Sequence, residues 1–170
     1  MKTAEWPVLR IVDGGNCFNA YTVARAARGR PEVLGRITVS RAFTCYQVLS
    51  LLESMPAIPV PVVILDLLNT FYDESVQAGE RKRLLRACLG QLERLERVAG
   101  GLIPVTALLA AWRDGETDEN IPMPPLLVSV YPPKVASHTA VELLEMLQAG
   151  RPETYFLPQA PAAPETLRMF

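Results

Sequence analysis

The feature of this sequence that most restricts its fold is the apolar run at residues 60–66, which ends in Asp66. A strand that is apolar on both faces is typical of a parallel sheet covered by helices. Other short β-branched runs predict strands at residues 8–12, 36–40, 102–106, 126–131 and 154–157. Apolar positions with helical spacing predict helices at residues 17–28, 44–53, 80–98 and 139–147. This alternation of strands and helices predicts βαβ units and an α/β fold with a mostly parallel sheet.

Helix 80–98 has the clearest pattern in the chain. Its predicted buried stripe consists of Leu84, Leu85, Cys88, Leu92, Leu95 and Val98. An acidic, Pro-rich loop is predicted at residues 114–125. A length of 170 residues suits one domain, which we place at residues 1–158. We expect residues 159–170, rich in Pro and Ala, to form a flexible tail.

Composition excludes several classes of protein. The three cysteines are far apart and the sole histidine is His138, which argues against a disulfide framework, a structural zinc site and a His-rich metal site. No apolar stretch approaches the roughly 20 residues of a membrane span. The first residues carry no signal pattern, so we expect a cytoplasmic location. The net charge is −1, yet residues 10–41 hold six arginines against two acids, whereas residues 113–170 hold eight acids against four bases. Only the first segment is suited to binding an anion.

Four motifs in order resemble the core of the RecA/RadA recombinases, entered at the second strand of that core. They are Ile11-Val-Asp13-Gly-Gly-Asn-Cys-Phe18, Arg36-Ile-Thr-Val-Ser-Arg41-Ala42-Phe43, the Walker-B-like Val62-Val-Ile-Leu-Asp66, and Glu80-Arg81 followed by Ile103-Pro-Val-Thr106. The likeness covers about residues 8–107. It implies a three-layer α/β/α architecture with a RecA-like core that lacks the first strand and the ATP-binding loop.

The departures from that family determine the expected activity. No Gly-rich loop with Lys and Ser or Thr is present to cradle phosphates. The position of the family's water-orienting glutamate matches Gly15, and its Asn-Gln sensor pair matches Ala107 and Leu108. Only the Walker B acid remains, as Asp66. Because phosphoryl transfer depends on positioning and charge stabilisation, the resemblance implies a pseudo-ATPase with no catalytic residue, cofactor or metal.

The absent first strand poses a structural question, because that strand is central in the family's sheet and pairs on both sides. Unpaired backbone groups are unfavourable when they are buried. Either the flanking strands close up, or C-terminal strands move in, or a partner fills the gap. The sequence leaves these three arrangements open.

Two sets of residues are candidates for binding. A basic set is proposed to contact DNA phosphates: Arg25, Arg28, Arg30, Arg36, Arg41, Arg81, Lys82 and Arg83. A candidate ligand loop follows the first strand and consists of Asp13, Gly14, Gly15 and Asn16. The alternatives are solvated basic helix ends for the first set and, for the second, a strand-to-helix turn with Asn16 as N-cap. Asp66 either holds a metal ion or simply caps the turn after its strand.

Three functions follow from these expectations. The first is a non-hydrolysing accessory protein of DNA recombination or repair that binds single-stranded DNA or a RecA-type partner. The second is a protein-interaction or structural module within a complex. The third is a trans-acting partner of a P-loop ATPase, donating an arginine such as Arg41 or Arg81 to the partner's nucleotide. All three predict a homo- or hetero-oligomer and no membrane association.

Overall fold

A computed structural model describes residues 8–58, 60–99, 126–128 and 137–149. The described strands are β1 (Leu9–Asp13), β2 (Ile37–Arg41), β3 (Val62–Leu65) and β4 (Leu126–Val128). The helices are α1 (Ala20–Ala26), α2 (Pro31–Leu34), α3 (Cys45–Ser54), α4 (Ala78–Ala99) and α5 (His138–Ala149), with a 3-10 turn at Asn69–Phe71. The predicted mixed α/β class is therefore confirmed.

The described strands form one parallel sheet in the order β2-β1-β3-β4. In this register Val12 lies beside Ser40 on one side and Ile64 on the other. β1 pairs directly with both β2 and β3, so these strands close up without a gap between them. The direction of chain progression reverses between β1 and β3, which makes their boundary a topological switch point. Because crossovers are right-handed, α1 and α2 lie on the opposite face of the sheet from α3 and α4.

One helical layer carries the hydrophobic core. The strand residues Val12 and Ile64 pack with the buried faces of α3, α4 and α5. The fully buried leucines of this cluster are Leu52, Leu67, Leu68, Leu85, Leu92, Leu143 and Leu147. By contrast, α1 and α2 bury no residue. The described core is thus concentrated on one face of the sheet.

The buried stripe of α4 follows the predicted one with a single exception. Leu84, Leu85, Cys88, Leu92 and Leu95 are buried. Val98, which was predicted to continue the stripe, lies one residue before the last of the helix and is 37% exposed. The stripe ends at Leu95 because the last turn of α4 extends past the core.

α1 begins later than predicted, and Asn16 is not its N-cap. The N-cap is Asn19, whose side-chain oxygen accepts a hydrogen bond from Thr22 N at 3.0 Å. Asn16 instead adopts a left-handed backbone conformation, with φ of 52°. The helix ends at Ala26, before a left-handed pair, Arg28 at φ of 46° and Gly29 at 81°. Helical composition alone overextended this helix at both ends.

α3 begins within one residue of the predicted start. Thr44 is the N-cap, and its hydroxyl oxygen accepts a hydrogen bond from Gln47 N at 3.2 Å. The Gln47 side chain reaches back and accepts one from Phe43 N at 2.8 Å. These reciprocal bonds resemble a capping box, in which two otherwise unpaired backbone donors are satisfied.

The remaining predictions fall largely outside the described residues. These are the strands at 102–106 and 154–157, the loop at 114–125, the tail at 159–170, and positions Ala107 and Leu108. The late strand is described only at Leu126–Val128. Within the described ranges, no helix is both long and apolar enough to cross a membrane.

Candidate functional site

The carboxyl ends of β1, β2 and β3 bring together Asp13, Arg41 and Asp66. In open α/β sheets, ligands bind beyond the carboxyl ends of the strands at the switch point. The register places Asp13 beside Arg41 on one side and Leu65 on the other. This edge therefore holds the predicted ligand loop, one residue of the predicted basic set and the Walker-B-like acid.

Asp13 organises the loop that follows β1. Its carboxylate is fully buried and accepts hydrogen bonds from Cys17 N at 3.0 Å and Phe18 N at 2.9 Å. Arg41 adds an ion pair, with its Nε 3.7 Å from Asp13 Oδ2. These backbone bonds hold residues 13–18 in a turn and delay the start of α1. The acid predicted to face a ligand thus has its oxygens engaged within the protein.

Asp66 lies directly against the glycines of the candidate loop. A Cβ atom placed on Gly15 would lie 2.2 Å from Asp66 Oδ2, and one on Gly14 would lie 2.8 Å from the Asp66 carbonyl oxygen. Gly14 N also donates a hydrogen bond to Leu65 O at 2.9 Å, and Asn69 Nδ2 donates to Gly14 O at 3.3 Å. The switch point between β1 and β3 is therefore occupied by contacts between the two loops.

The backbone of Asp66 is unusual as well. Its φ of 48° lies in the left-handed region, where most residues other than glycine are disfavoured. The residue makes its side-chain contact with Gly15 from this conformation. The geometry favours the interpretation of Asp66 as the residue that closes the turn after β3.

Two ionisable groups near this edge, Cys17 and Tyr72, have raised pKa values. Burial, followed by the charge of Asp13, raises the pKa of the Cys17 thiol to about 11. Burial and the nearby Asp66 carboxylate raise the pKa of Tyr72 to about 12. A thiol must be deprotonated to act as a nucleophile. Cys17 is therefore a poor nucleophile at neutral pH.

The site does not fit a magnesium nucleotide of the kind that an intact Walker B site would bind. The carboxylate of Asp66 packs against Gly15, where the family places a glutamate. In the described ranges, no group of three or more His, Cys, Asp or Glu side chains is arranged to hold a metal ion. The sequence supplies no phosphate loop. We accordingly derive no reaction step through a nucleotide.

Three of the predicted basic residues form an exposed ridge. Arg25, Arg28 and Arg30 are exposed at the connection between α1 and α2. The Arg25 guanidinium lies 5.9 Å from the ring centroid of Tyr21, which is also exposed. No ion pair to an acid in the described residues involves these three arginines. We call them the arginine ridge. Arg36, which follows α2, is partly buried and already interacts with another group of the protein, so it is not part of the ridge.

The predicted basic residues at the start of α4 are engaged within the protein. Arg81 is only 4% exposed, and its Nη1 donates a hydrogen bond to Phe71 O at 3.1 Å. Lys82 forms an ion pair with Glu142 of α5. Arg83 makes two hydrogen bonds to Glu80, at 2.8 and 2.6 Å. Arg81 therefore links α4 to the 3-10 turn, and its burial excludes it as a surface contact for phosphate.

Sequence reasoning missed Asn69, which joins the loops after β1 and β3, and gave Arg10 no role of its own. The signal for Arg10 was present, because its charge interrupts the apolar run at residues 8–12. No comparable signal marks Asn69, because its contact with Gly14 spans 55 residues of chain. No protein-family model matches this chain, and a search of curated proteins finds no match to it.

Proposed function

We propose that this protein is a non-hydrolysing relative of the RecA-type recombinases that serves as an accessory in DNA recombination or repair. In this proposal the arginine ridge binds the phosphates of single-stranded DNA, and the carboxyl edge of the sheet has no part in turnover. The four ordered motifs and the parallel sheet support the relationship. The observation that carries the proposal of DNA binding is the ridge itself.

The contact between Gly15 and Asp66 supports the absence of hydrolysis. A glutamate at position 15 would have to displace the Asp66 carboxylate, because even its Cβ would lie 2.2 Å from Oδ2. A water-orienting side chain and the present position of Asp66 are thus mutually exclusive. Together with the absent phosphate loop, this leaves nucleotide hydrolysis without either of its main components.

Charge distribution supports the choice of the arginine ridge over the basic start of α4. Cations that already have an acidic partner gain less from a phosphate, because that ion pair must be broken or shared. Lys82 and Arg83 have such partners in Glu142 and Glu80. Arg28 and Arg30 have none among the described residues. The two pairs carry equal charge, so they form a matched comparison.

The test is fluorescence anisotropy of a labelled oligothymidylate, titrated with protein at several salt concentrations. We expect binding that weakens with salt and does not respond to Mg-ATP. Each lost phosphate contact lowers the slope of log K against log salt by about 0.7 for single strands. R28A/R30A should therefore lower the slope by about 1.4. K82A/R83A, which removes the same charge, should leave the slope nearly unchanged.

Two results would reject DNA binding through the ridge. One is an absence of binding by the wild-type protein at low salt. The other is an equal loss of slope in the two double variants, since that would reflect net charge alone. ATP turnover by the purified wild-type chain would separately reject the proposed lack of hydrolysis.

Exposed aromatic residues support a second candidate, a protein-interaction module. Phe43 is 70% exposed and Tyr46 is 50% exposed, on either side of the N-cap of α3. Aromatic and Arg side chains are enriched at protein interfaces, and exposed Arg41 and Arg83 lie close to this pair in the fold. Gel filtration with a RecA-type recombinase, comparing wild type with F43A/Y46A, tests this candidate. Co-elution that the variant abolishes would favour it over DNA binding.

A further inference from the structure

Arg10 is a partly buried cation on the central strand. Its neighbours in the register are Thr38 of β2 and Val62 of β3, which places it on the same sheet face as the core residue Val12. Arg81 and Arg94 donate to backbone carbonyls, and Arg41 lies near a carboxylate. In the described part of the chain, no acceptor for the Arg10 guanidinium is found. A partly buried guanidinium without a protein acceptor is left to water, and a bound anion can take the place of that water with charge-assisted hydrogen bonds.

A cleft of about 240 Å³ opens beside Arg10. Thr38 and Ser40 bring two hydroxyl groups to it from β2, on the same sheet face as Arg10. Leu51 and Met55 of the α3 region form an apolar wall. Among the described residues, none that lines the cleft is acidic, so none of them opposes the positive charge of Arg10 there. This is a cationic site with one apolar side.

Hydrogen bonds from α4 fix the apolar wall in place. Arg94 Nη2 donates to Leu52 O at 2.9 Å and to Met55 O at 3.0 Å. These carbonyls belong to the last turn and C-cap of α3, where the regular i+4 backbone N–H donors of the helix are no longer available. The opposite wall belongs to the paired strands β1 and β2. A site whose walls are fixed before binding loses less conformational freedom when a ligand enters.

The size and polarity of the cleft limit the ligand. Pockets for drug-sized molecules measure about 300–1,000 Å³, so a smaller ligand is required here. A guanidinium pairs with a carboxylate through two parallel hydrogen bonds, and hydroxyl donors at Thr38 and Ser40 add to them. The Leu51–Met55 wall favours an apolar remainder. The cleft is also distinct from the carboxyl edge, because Arg10 lies near the opposite end of β1 from Asp13.

We propose that this cleft is a binding site for a small aliphatic carboxylate, with Arg10 holding the carboxylate and the α3 wall holding the alkyl chain. The site is independent of the proposed DNA contact at the arginine ridge. Carboxylate binding at the cleft can therefore be absent while DNA binding at the ridge is present, and DNA binding can be absent while carboxylate binding is present.

Hexanoate is a suitable probe because it combines one carboxylate with a short alkyl chain. We would titrate it into isotopically labelled protein and follow backbone amide shifts, comparing it with hexylamine and inorganic phosphate. Saturable shifts with hexanoate are expected at Thr38, Ser40, Leu51 and Met55. Hexylamine should cause little change there, because it places a second cation beside Arg10. Phosphate should bind more weakly, because it leaves the apolar wall uncovered.

Variants separate the charge of Arg10 from general effects. R10Q should weaken hexanoate binding about tenfold or more, which is the loss expected for charged hydrogen bonds. R97Q removes the charge of an exposed arginine on α4 and should leave the affinity unchanged. If R10Q fails to fold, T38V tests the same site with a smaller change and should weaken binding severalfold. Equal binding of hexanoate and hexylamine, phosphate binding as strong as hexanoate binding, or no saturable shifts with hexanoate would each overturn the proposal.

Discussion

The contact between Gly15 and Asp66 leads to a prediction that can be worked through from the coordinates. An added Cβ at Gly15 would lie 2.2 Å from Asp66 Oδ2, 2.6 Å from its Cβ and 2.8 Å from its Cγ. Carbon atoms in favourable contact are about 3.5–4.0 Å apart. The φ of Gly15 lies outside the left-handed region, so the penalty comes from crowding and not from backbone strain. We expect G15A to lower the free energy of unfolding by about 2 kcal/mol, within the range of overpacking.

The same reasoning predicts that D66G removes the destabilisation that G15A causes. Glycine suits the φ of 48° at position 66. It also removes the three crowded atoms, which all belong to the Asp66 side chain. In the D66G background, G15A should be neutral or stabilising by about 0.5 kcal/mol, because alanine restricts the unfolded chain. The coupling energy between the two positions should therefore be about 2–2.5 kcal/mol, which is large for a single pair.

Urea denaturation followed by far-UV circular dichroism measures all four members of this cycle. With an m value of about 2 kcal/mol/M, G15A alone should shift the midpoint by about 1 M. G90A is a matched control, because nothing lies within 4 Å of a Cβ at that helical glycine. It should stabilise the protein by about 0.5–1 kcal/mol. An equal penalty for G15A with Asp66 and with Gly at position 66 would refute the reasoning.

Three further predictions concern named contacts. D13A should lower the free energy of unfolding by about 3 kcal/mol in thermal or urea melts, because it leaves Cys17 N and Phe18 N without acceptors. D13N keeps one side-chain oxygen as an acceptor and should lower it by less. R94A should lower it by about 2 kcal/mol and raise amide exchange at the end of α3, while unchanged exchange there would contradict the role of Arg94 as a clamp. Burial raises the pKa of the Cys88 thiol to about 12 from its ordinary 9.0. Between those values the folded state holds a proton that the unfolded state has lost, so stability should fall as pH rises above about 9, and C88A should flatten that decline.

Local patterns predicted those parts of the fold that depend on neighbouring residues. The apolar spacing that predicted α4 and α3 is a property of a few adjacent positions. The predicted strands at residues 8–12, 36–40 and 60–66 lie within one or two residues of β1, β2 and β3 for the same reason. The start of α1 was wrong because the Asp13 carboxylate binds Cys17 N and Phe18 N and holds them outside the helix. A buried side chain, and not helix propensity, decides that boundary.

The candidate site was likewise predicted where it depends on neighbouring residues and missed where it depends on contacts between distant ones. The sequence predicted Asp13, Arg41 and Asp66 as residues at strand ends, and parallel strands place such residues at one edge. It did not predict that Asp66 packs against Gly15, because those positions are far apart in the chain. Nor did it predict the burial of Arg81, because a charged helix start normally faces solvent. Both misses depend on packing between elements, which no local pattern encodes.

The strand order also has consequences for how the chain acquires its structure. β1 can pair with nothing until β2 is available, and its second edge remains open until β3 arrives. The last described pairing joins β3 to β4 across all of the chain between Leu65 and Leu126. Non-local parallel pairings of this kind slow folding, because a long loop must close before any stabilising contact forms. Of the strand edges that become paired in the described sheet, the edge of β3 that receives β4 therefore stays open longest during synthesis, and a chaperone that binds extended apolar segments would find its target there.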